Sequence, residues 1–266
     1  MPNVLFQTST SKNVVGRTFA AVGLIAFSGF AHAQQARAAA PPTAKAGAPI
    51  DLTGYWVALI TEDWRYRMMV PAKGDFPNVP LNPEGRRVAN LWDPAKDESG
   101  ENQCAAYGAG GITRMTGRYH ITWFDDNTLK AEADAGTQTR TFVFGGGALS
   151  EKTSAGENTW QGVSRANWEF SGPGRGGGAG GRSGSLRVVT TRMESGYIQR
   201  NGVPYSANAV ITEYFDVIKE EDGTQYMAVT TLIEDPAYLA RRFQRSTHFR
   251  KEPDGTKWDP TACVVR

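Results

Sequence analysis

His120 and His248 are the side chains of this sequence best suited to moving a proton near neutral pH, because an unperturbed imidazole titrates there. Residues 118–124 alternate, with Tyr119, Ile121 and Trp123 on one face and His120, Thr122 and Phe124 on the other. Residues 129–135 alternate more sharply. Leu129, Ala131, Ala133 and Ala135 face one way, and Lys130, Glu132 and Asp134 the other. An Asp126-Asn127 turn joins the two segments, so hairpin pairing brings His120 beside Glu132 or Asp134. A carboxylate beside an imidazole orients the ring and raises its pKa, which suits a general base. Glu213, His248 and Arg192 come from later strands and would line the same cavity if the polar face points inward. The alternative is that this face is the wet outside of the fold.

Trp64-Arg65-Tyr66-Arg67 sets two arginines between two aromatics. On a strand, Arg65 and Arg67 would share one face and Trp64 and Tyr66 the other. An arginine beside aromatic walls suits the carboxylate or phenolate of an aromatic ligand, with Arg67 as the anion holder. The alternative is an edge strand with its charges in solvent. Trp64, Arg67, Arg192 and Tyr214 are therefore the candidate ligand contacts, and His120, Glu132, Asp134, Glu213 and His248 the candidate acid–base groups. The adjacent acids Asp125-Asp126 and Glu234-Asp235 belong to turns. No Gly-x-Ser-x-Gly elbow occurs, which excludes the α/β-hydrolase arrangement. Gly-rich residues 171–185 carry Arg175 and Arg182 but lack the Gly-Lys-Ser/Thr ending of a phosphate loop, and they read as a flexible loop. Nothing in the sequence calls for a cofactor.

These residues must be positioned mostly by strands. Residues 55–60, 64–70, 118–124, 129–135, 137–144, 186–193, 207–217, 225–233 and 243–249 make a set of about nine. Asp126-Asn127-Thr128, Asp222-Gly223-Thr224 and Asp254-Gly255-Thr256 supply residues that tolerate the positive φ of tight hairpins. One helix is expected from an Asn82 cap, with Pro83 at the first position and Val88, Leu91 and Trp92 at helical spacing. Asp93-Pro94 ends it. Threonine, histidine, arginine and glutamate recur between apolar residues on several strands, as at Thr190-Thr191-Arg192, Thr230-Thr231 and Thr247-His248. That mixture fits a barrel with a hydrogen-bonding lumen, or ordinary amphipathic strands in which threonine serves β propensity.

The first 33 residues carry Lys12 and Arg17, an apolar run from Phe19 to Phe30 and then Ala31-His32-Ala33. This is the pattern of a secretory signal peptide, and the run is shorter than the roughly 20 residues a membrane span needs. Removing it leaves 233 of the 266 residues, which suits one large all-β domain. The leader takes two of the 29 Lys and Arg and none of the 27 Asp and Glu, so the mature chain is neutral. Neutrality argues against nucleic acid or an anionic membrane as partner. Residues 34–50, rich in Ala, Pro and Lys, read as a flexible leader before a domain at 51–266. Cys104 and Cys263 are the two cysteines, and in an oxidising compartment they read as one disulfide rather than two free thiols. Two cysteines, two mature histidines and no C-x-x-C spacing leave a classical zinc site without ligands.

Two resemblances add to this. At Asp51-Leu-Thr-Gly-Tyr-Trp56 the chain resembles the first strand of lipocalin-like barrels, whose motif is Gly-x-Trp. The resemblance implies that Trp56 closes the barrel floor against an arginine of the last strand, Arg245 or Arg250. Thr212-Glu-Tyr-Phe-Asp216, residues 229–236 and residues 246–255 are similar to secreted bacterial β-barrel proteins of unassigned function. The expectation is an all-β, antiparallel barrel of the lipocalin or calycin type, with about 8–10 strands, one short helix and a Gly-rich loop. Its expected function is binding of a small, largely apolar or aromatic ligand in the periplasm or outside the cell. The alternatives are a cofactor-free lyase, isomerase or hydrolase using His and carboxylate chemistry in the lumen, and an envelope scaffolding protein without a small ligand.

Overall fold

Alternating strands place one residue in two against a common interior, and here they close on themselves. The computed structural model describes residues 42–145, 158–171 and 183–265. They belong to the second of two units, Pro41–Arg266. The signal-peptide residues 1–33, the first part of the expected leader and residues 172–182 of the Gly-rich loop lie outside the described residues. The strands are β1 (Gly54–Leu59), β2 (Arg118–Asp125), β3 (Thr128–Ala133), β4 (Gln138–Phe144), β5 (Val163–Phe170), β6 (Gly184–Thr191), β7 (Gly196–Gln199), β8 (Val203–Tyr205), β9 (Val210–Lys219), β10 (Gln225–Glu234) and β11 (Phe243–Glu252). Nine of them form a closed barrel in the order β1-β11-β10-β9-β6-β5-β4-β3-β2, and β7 and β8 pair apart from it.

The barrel is not wholly antiparallel. β4 and β5 run parallel, with Phe142 opposite Ser164 and Phe144 opposite Ala166. The reason is topological. Around a closed ring, strand direction can alternate at every step only if the number of strands is even. Nine strands therefore force at least one parallel pair. The strand set also differs in membership from the expected one. Residues 64–67 form one helical turn, α1 (Trp64–Arg67), and not a strand, while β5 completes the nine.

The barrel has two distinct ends. The β2–β3 turn and the β9–β10 turn lie at one, the turn end. The other, the insert end, receives residues 60–117 and the β7–β8 hairpin. The insert carries α2 (Pro83–Leu91), whose Asn82 cap accepts a bond from the Gly85 amide at 2.8 Å, a contact worth about 1 kcal/mol. Asp93-Pro94 ends that helix and starts another, α3 (Pro94–Ser99), with Asp93 capping Ala95. Residues 105–115 are buried throughout. A Cβ on Gly110 would sit 2.6 Å from the Tyr205 ring, and one on Gly111 would sit 2.2 Å from the Ala106 carbonyl, so this segment can thread under the hairpin only as glycine. The turn at 254–256 follows β11 without leading into another described strand.

Inside the barrel, Trp56, Tyr119, Ile121, Leu129, Phe142, Leu186, Phe215 and Phe249 fill one core with the small Ala131, Ala133 and Ala166. Large and small inward residues together fill a closed barrel without voids. A second core, including Phe76, Val79, Ile198, Val203, Tyr205 and Phe243, joins the insert and hairpin to the insert end. Cys104 and Cys263 form a disulfide that ties the C-terminal tail to the segment before β2. Residues 42–50 are anchored too: Ala44 donates to Asn127 Oδ1 at 2.9 Å, and its carbonyl accepts from Trp168 Nε1 at 2.8 Å.

Candidate functional site

The polar face of β2 and β3 lies on the outside of the barrel. Tyr119, Ile121, Leu129, Ala131 and Ala133 are buried in the core, and His120 and Glu132 project the other way, half-buried. His120 Nδ1 lies 3.5 Å from Glu132 Oε2, and the ring stacks on Tyr55 at 4.1 Å with Trp258 nearby. Asp134 does not join them. It lies beyond the end of β3, where its Oδ1 accepts the Arg118 and Ala135 amides, each at 2.7 Å. Burial pushes its carboxyl up, against those two donors. Tyr214 also faces outward, opposite Thr230 and Arg187. Arg192 is exposed just after β6, with a φ of +57°.

Glu213 is the acid–base candidate that points inward. It is fully buried and makes a two-pronged ion pair with Arg140 of β4, at 3.1 and 2.6 Å. Arg140 also donates to Thr190 Oγ1 at 3.1 Å, and Thr190 shares a 2.7 Å bond with Ser164. Thr231, Thr247 and Arg245 are further buried inward residues of neighbouring strands. The lumen thus has a polar layer on six strands, the feature that the threonine-rich strands foreshadow. Desolvation opposes the Arg140 charge, and the Glu213 carboxylate restores it. Burial pushes the Tyr119 phenol well up, and its hydroxyl has no partner.

A second buried cationic group sits at the insert end. Arg67, expected on a strand beside Trp64, is instead carried inward by α1, while Trp64 is 62% exposed. A helical turn sets Arg65 and Arg67 roughly 200° apart, so Arg65 stays in solvent while Arg67 is buried, where a strand would have put both on one face. Arg67 pairs with Glu62 and donates to the carbonyls of Leu59 and Arg114. Glu62 in turn reaches His248 Nδ1 at 3.1 Å on the outer face of β11. Arg114 pairs with Asp63 at 2.9 Å. Asp63 holds a φ of +51°, a strained region for a non-glycine residue, and the ion pair to Arg114 offsets that cost. Arg245 donates to the carbonyls of Gly110 and Ile198 and, among the described residues, pairs with no carboxylate. The structure therefore links Arg67 to His248 through Glu62, and His120 to Glu132, but it brings neither pair to Glu213.

At the turn end lies a cleft of about 420 Å³, lined by Pro42, Thr43, Ala44, Gly47, Asn127, Phe144, Gly145, Ala166, Asn167, Trp168 and Phe170. Phe144 and Trp168 lie 5.1 Å apart, and Trp123 completes an aromatic triad at 5.7 and 6.5 Å from them. Sequence reasoning missed this cleft because it gathers residues 42–47, 127, 144 and 166–170, which no local pattern connects. It also missed Arg140, though a signal existed: Arg140 is in phase with Phe142 and Phe144 on β4. Arg245 is likewise in phase with Phe243 and Phe249. The cation over the Trp56 ring is Lys251, 5.2 Å away, rather than Arg245 or Arg250, because Lys251 is the direct β11 neighbour of Trp56.

Comparisons with protein-family models, with curated proteins and with solved structures return no match. Among the described residues, no group of His, Cys, Asp or Glu could hold a metal ion, and no helix is long and apolar enough to cross a membrane.

Proposed function

We propose that this is an exported, periplasmic or extracellular barrel protein that holds a small, largely apolar or aromatic molecule in the turn-end cleft. The observation that carries the reading is the cleft itself. Its volume falls in the range of about 300–1,000 Å³ used for small ligands, and Phe144, Ala166, Trp168 and Phe170 offer aromatic and aliphatic walls with Asn127 and Asn167 as polar fixers. The Cys104–Cys263 disulfide supports an oxidising compartment. A calycin-like ancestry is supported by Gly54 and Trp56 on the first strand, with Lys251 in the place of the arginine. The parallel β4–β5 pair departs from that pattern.

Acid–base catalysis in the lumen has less support, since His120 and His248 face outward and Glu213 is committed to Arg140. Fluorescence titration with indole, naphthol and fatty acids tests the proposal. A saturable change in tryptophan emission is expected, and Trp168→Ala should abolish it while the barrel's circular dichroism is kept. Silence across that panel would refute ligand binding and favour a scaffolding role.

A further inference from the structure

The three buried arginines at the insert end carry more charge than the carboxylates beside them. Arg67, Arg114 and Arg245 are 2%, 4% and 8% exposed. Glu62 and Asp63 answer two of the charges, and both carboxylates are partly in solvent. The cluster is one negative charge short. Charges held this deep are ordinarily paired, because an unpaired ion forfeits its hydration without return. Crowding shows in the titration behaviour: burial, then Arg114 and Arg67, push the Arg245 guanidinium well down. Burial likewise pushes Arg67 down, with Glu62 acting against it and Arg114 adding to it.

The residues that carry the unspent donors line one pocket. Arg67, Arg114, Gln199 and Arg200 line a single pocket, together with Tyr66 and Gly111. Each of the first four has a buried polar atom without a partner among the described residues: Arg67 Nη2, Arg114 Nη2, Arg200 Nε and Gln199 Oε1. Three are charged donors. Arg245 stands behind the wall, holding the carbonyl of Ile198, which also lines the pocket, and that of Gly110 beside it. The space is about 10 Å³, close to the lower limit for a single water molecule or one small monatomic ion. That excludes a sulfate, a phosphate or the carboxyl end of an organic acid without rearrangement.

We infer that this pocket is a site for one small monovalent anion, of the halide class, bound by Arg67, Arg114 and Arg200. The ion supplies the missing charge and the missing acceptor together. Its place is structural: it binds the α1 turn (Arg67), the buried 105–115 segment (Arg114) and the β7–β8 hairpin (Arg200) to one another. The site lies at the opposite end of the barrel from the proposed ligand cleft and does not depend on it.

Two measurements test it. Thermal unfolding of the purified protein is followed in sodium chloride and in sodium gluconate at equal ionic strength, gluconate being too large to enter. A saturable rise in Tm with chloride is expected. The variant Gln199→Glu places a carboxylate at the pocket wall. It sacrifices the bond from Gln199 Nε2 to Asn78 Oδ1, but the unpaired Asn78 Nδ2 can turn to replace it. Gln199→Glu should fold, match the chloride-bound parent's Tm in gluconate and lose the chloride response. Anomalous diffraction from crystals grown in bromide should show one peak within hydrogen-bond range of Arg67 Nη2 and Arg114 Nη2. Equal melting in the two salts, an undiminished chloride response in Gln199→Glu, or a bromide map without that peak would each overturn the inference and leave the pocket to water.

Discussion

The Arg140–Glu213 pair makes the sharpest energetic forecast. Both side chains are buried, at 2% and 0% exposure, and they meet through two hydrogen bonds across the lumen. Glu213→Gln keeps the shape of the side chain and removes its charge, so Arg140 remains in the core without a counter-ion. Breaking a buried pair from one side costs about 3–5 kcal/mol. For a domain of this size each kcal/mol shifts Tm by roughly 2–4 °C, so Tm should fall by about 6–20 °C. Removing both charges should reverse most of that loss. In Arg140→Met with Glu213→Leu the lumen loses its ion pair, while Thr190 and Ser164 keep their mutual bond. Replacing a whole buried pair by packed apolar groups is about neutral, or stabilising by about 1–4 kcal/mol. Urea unfolding of the parent, Arg140→Met, Glu213→Leu and the double variant gives the coupling energy directly. A Glu213→Gln loss below about 1 kcal/mol, or a double variant no better than the single, would refute the view that charge pairing governs this layer.

Three further outcomes follow from the geometry. Asp134→Ala strips the acceptor from the Arg118 and Ala135 amides and should cost about 1–3 kcal/mol. Because burial raises the Asp134 carboxyl, the native state holds its proton more tightly than the unfolded chain, and this residue's contribution falls as pH rises from the ordinary carboxylate range through the raised value. The Asp134→Ala loss should therefore grow toward acid pH, and urea midpoints that show it shrinking would contradict the assignment. Tyr119→Phe deletes a buried hydroxyl without a partner and keeps the edge-on contact with Phe249, so Tm should hold or rise; a fall of several degrees would reveal a bond to that hydroxyl. Cys104→Ser opens a loop spanning 159 residues, for which the chain-entropy model gives about 5 kcal/mol as an upper figure; an unchanged melt under oxidising conditions would show that the bridge contributes nothing.

Local pattern was enough to read much of the scaffold. Period-two alternation marked β2, β3, β4, β6, β9, β10 and β11, since a strand exposes its inward set at every second residue whatever it later pairs with. The Asn82-Pro83 start of α2 and the two hairpin turns at 126–128 and 222–224 were legible for the same reason: capping and turn chemistry act within four residues. That His120 meets Glu132 or Asp134 also followed from the hairpin turn, and the register selects Glu132. Tertiary structure decided the rest. Whether the His120 face was lumen or solvent depended on barrel closure, which put Leu129 and the small Ala131 and Ala133 side chains inward against large aromatics and turned the polar face out. The helical turn at Trp64–Arg67 overrode a strand-like alternation because Arg67 finds Glu62 and the carbonyls of Leu59 and Arg114 only by turning inward. Arg140 meets Glu213 from 73 positions away, and the arginine pocket draws on residues from Tyr66 to Arg200. Contacts of that range arise from the closure of the barrel and the docking of its insert, and no window of neighbouring residues contains them.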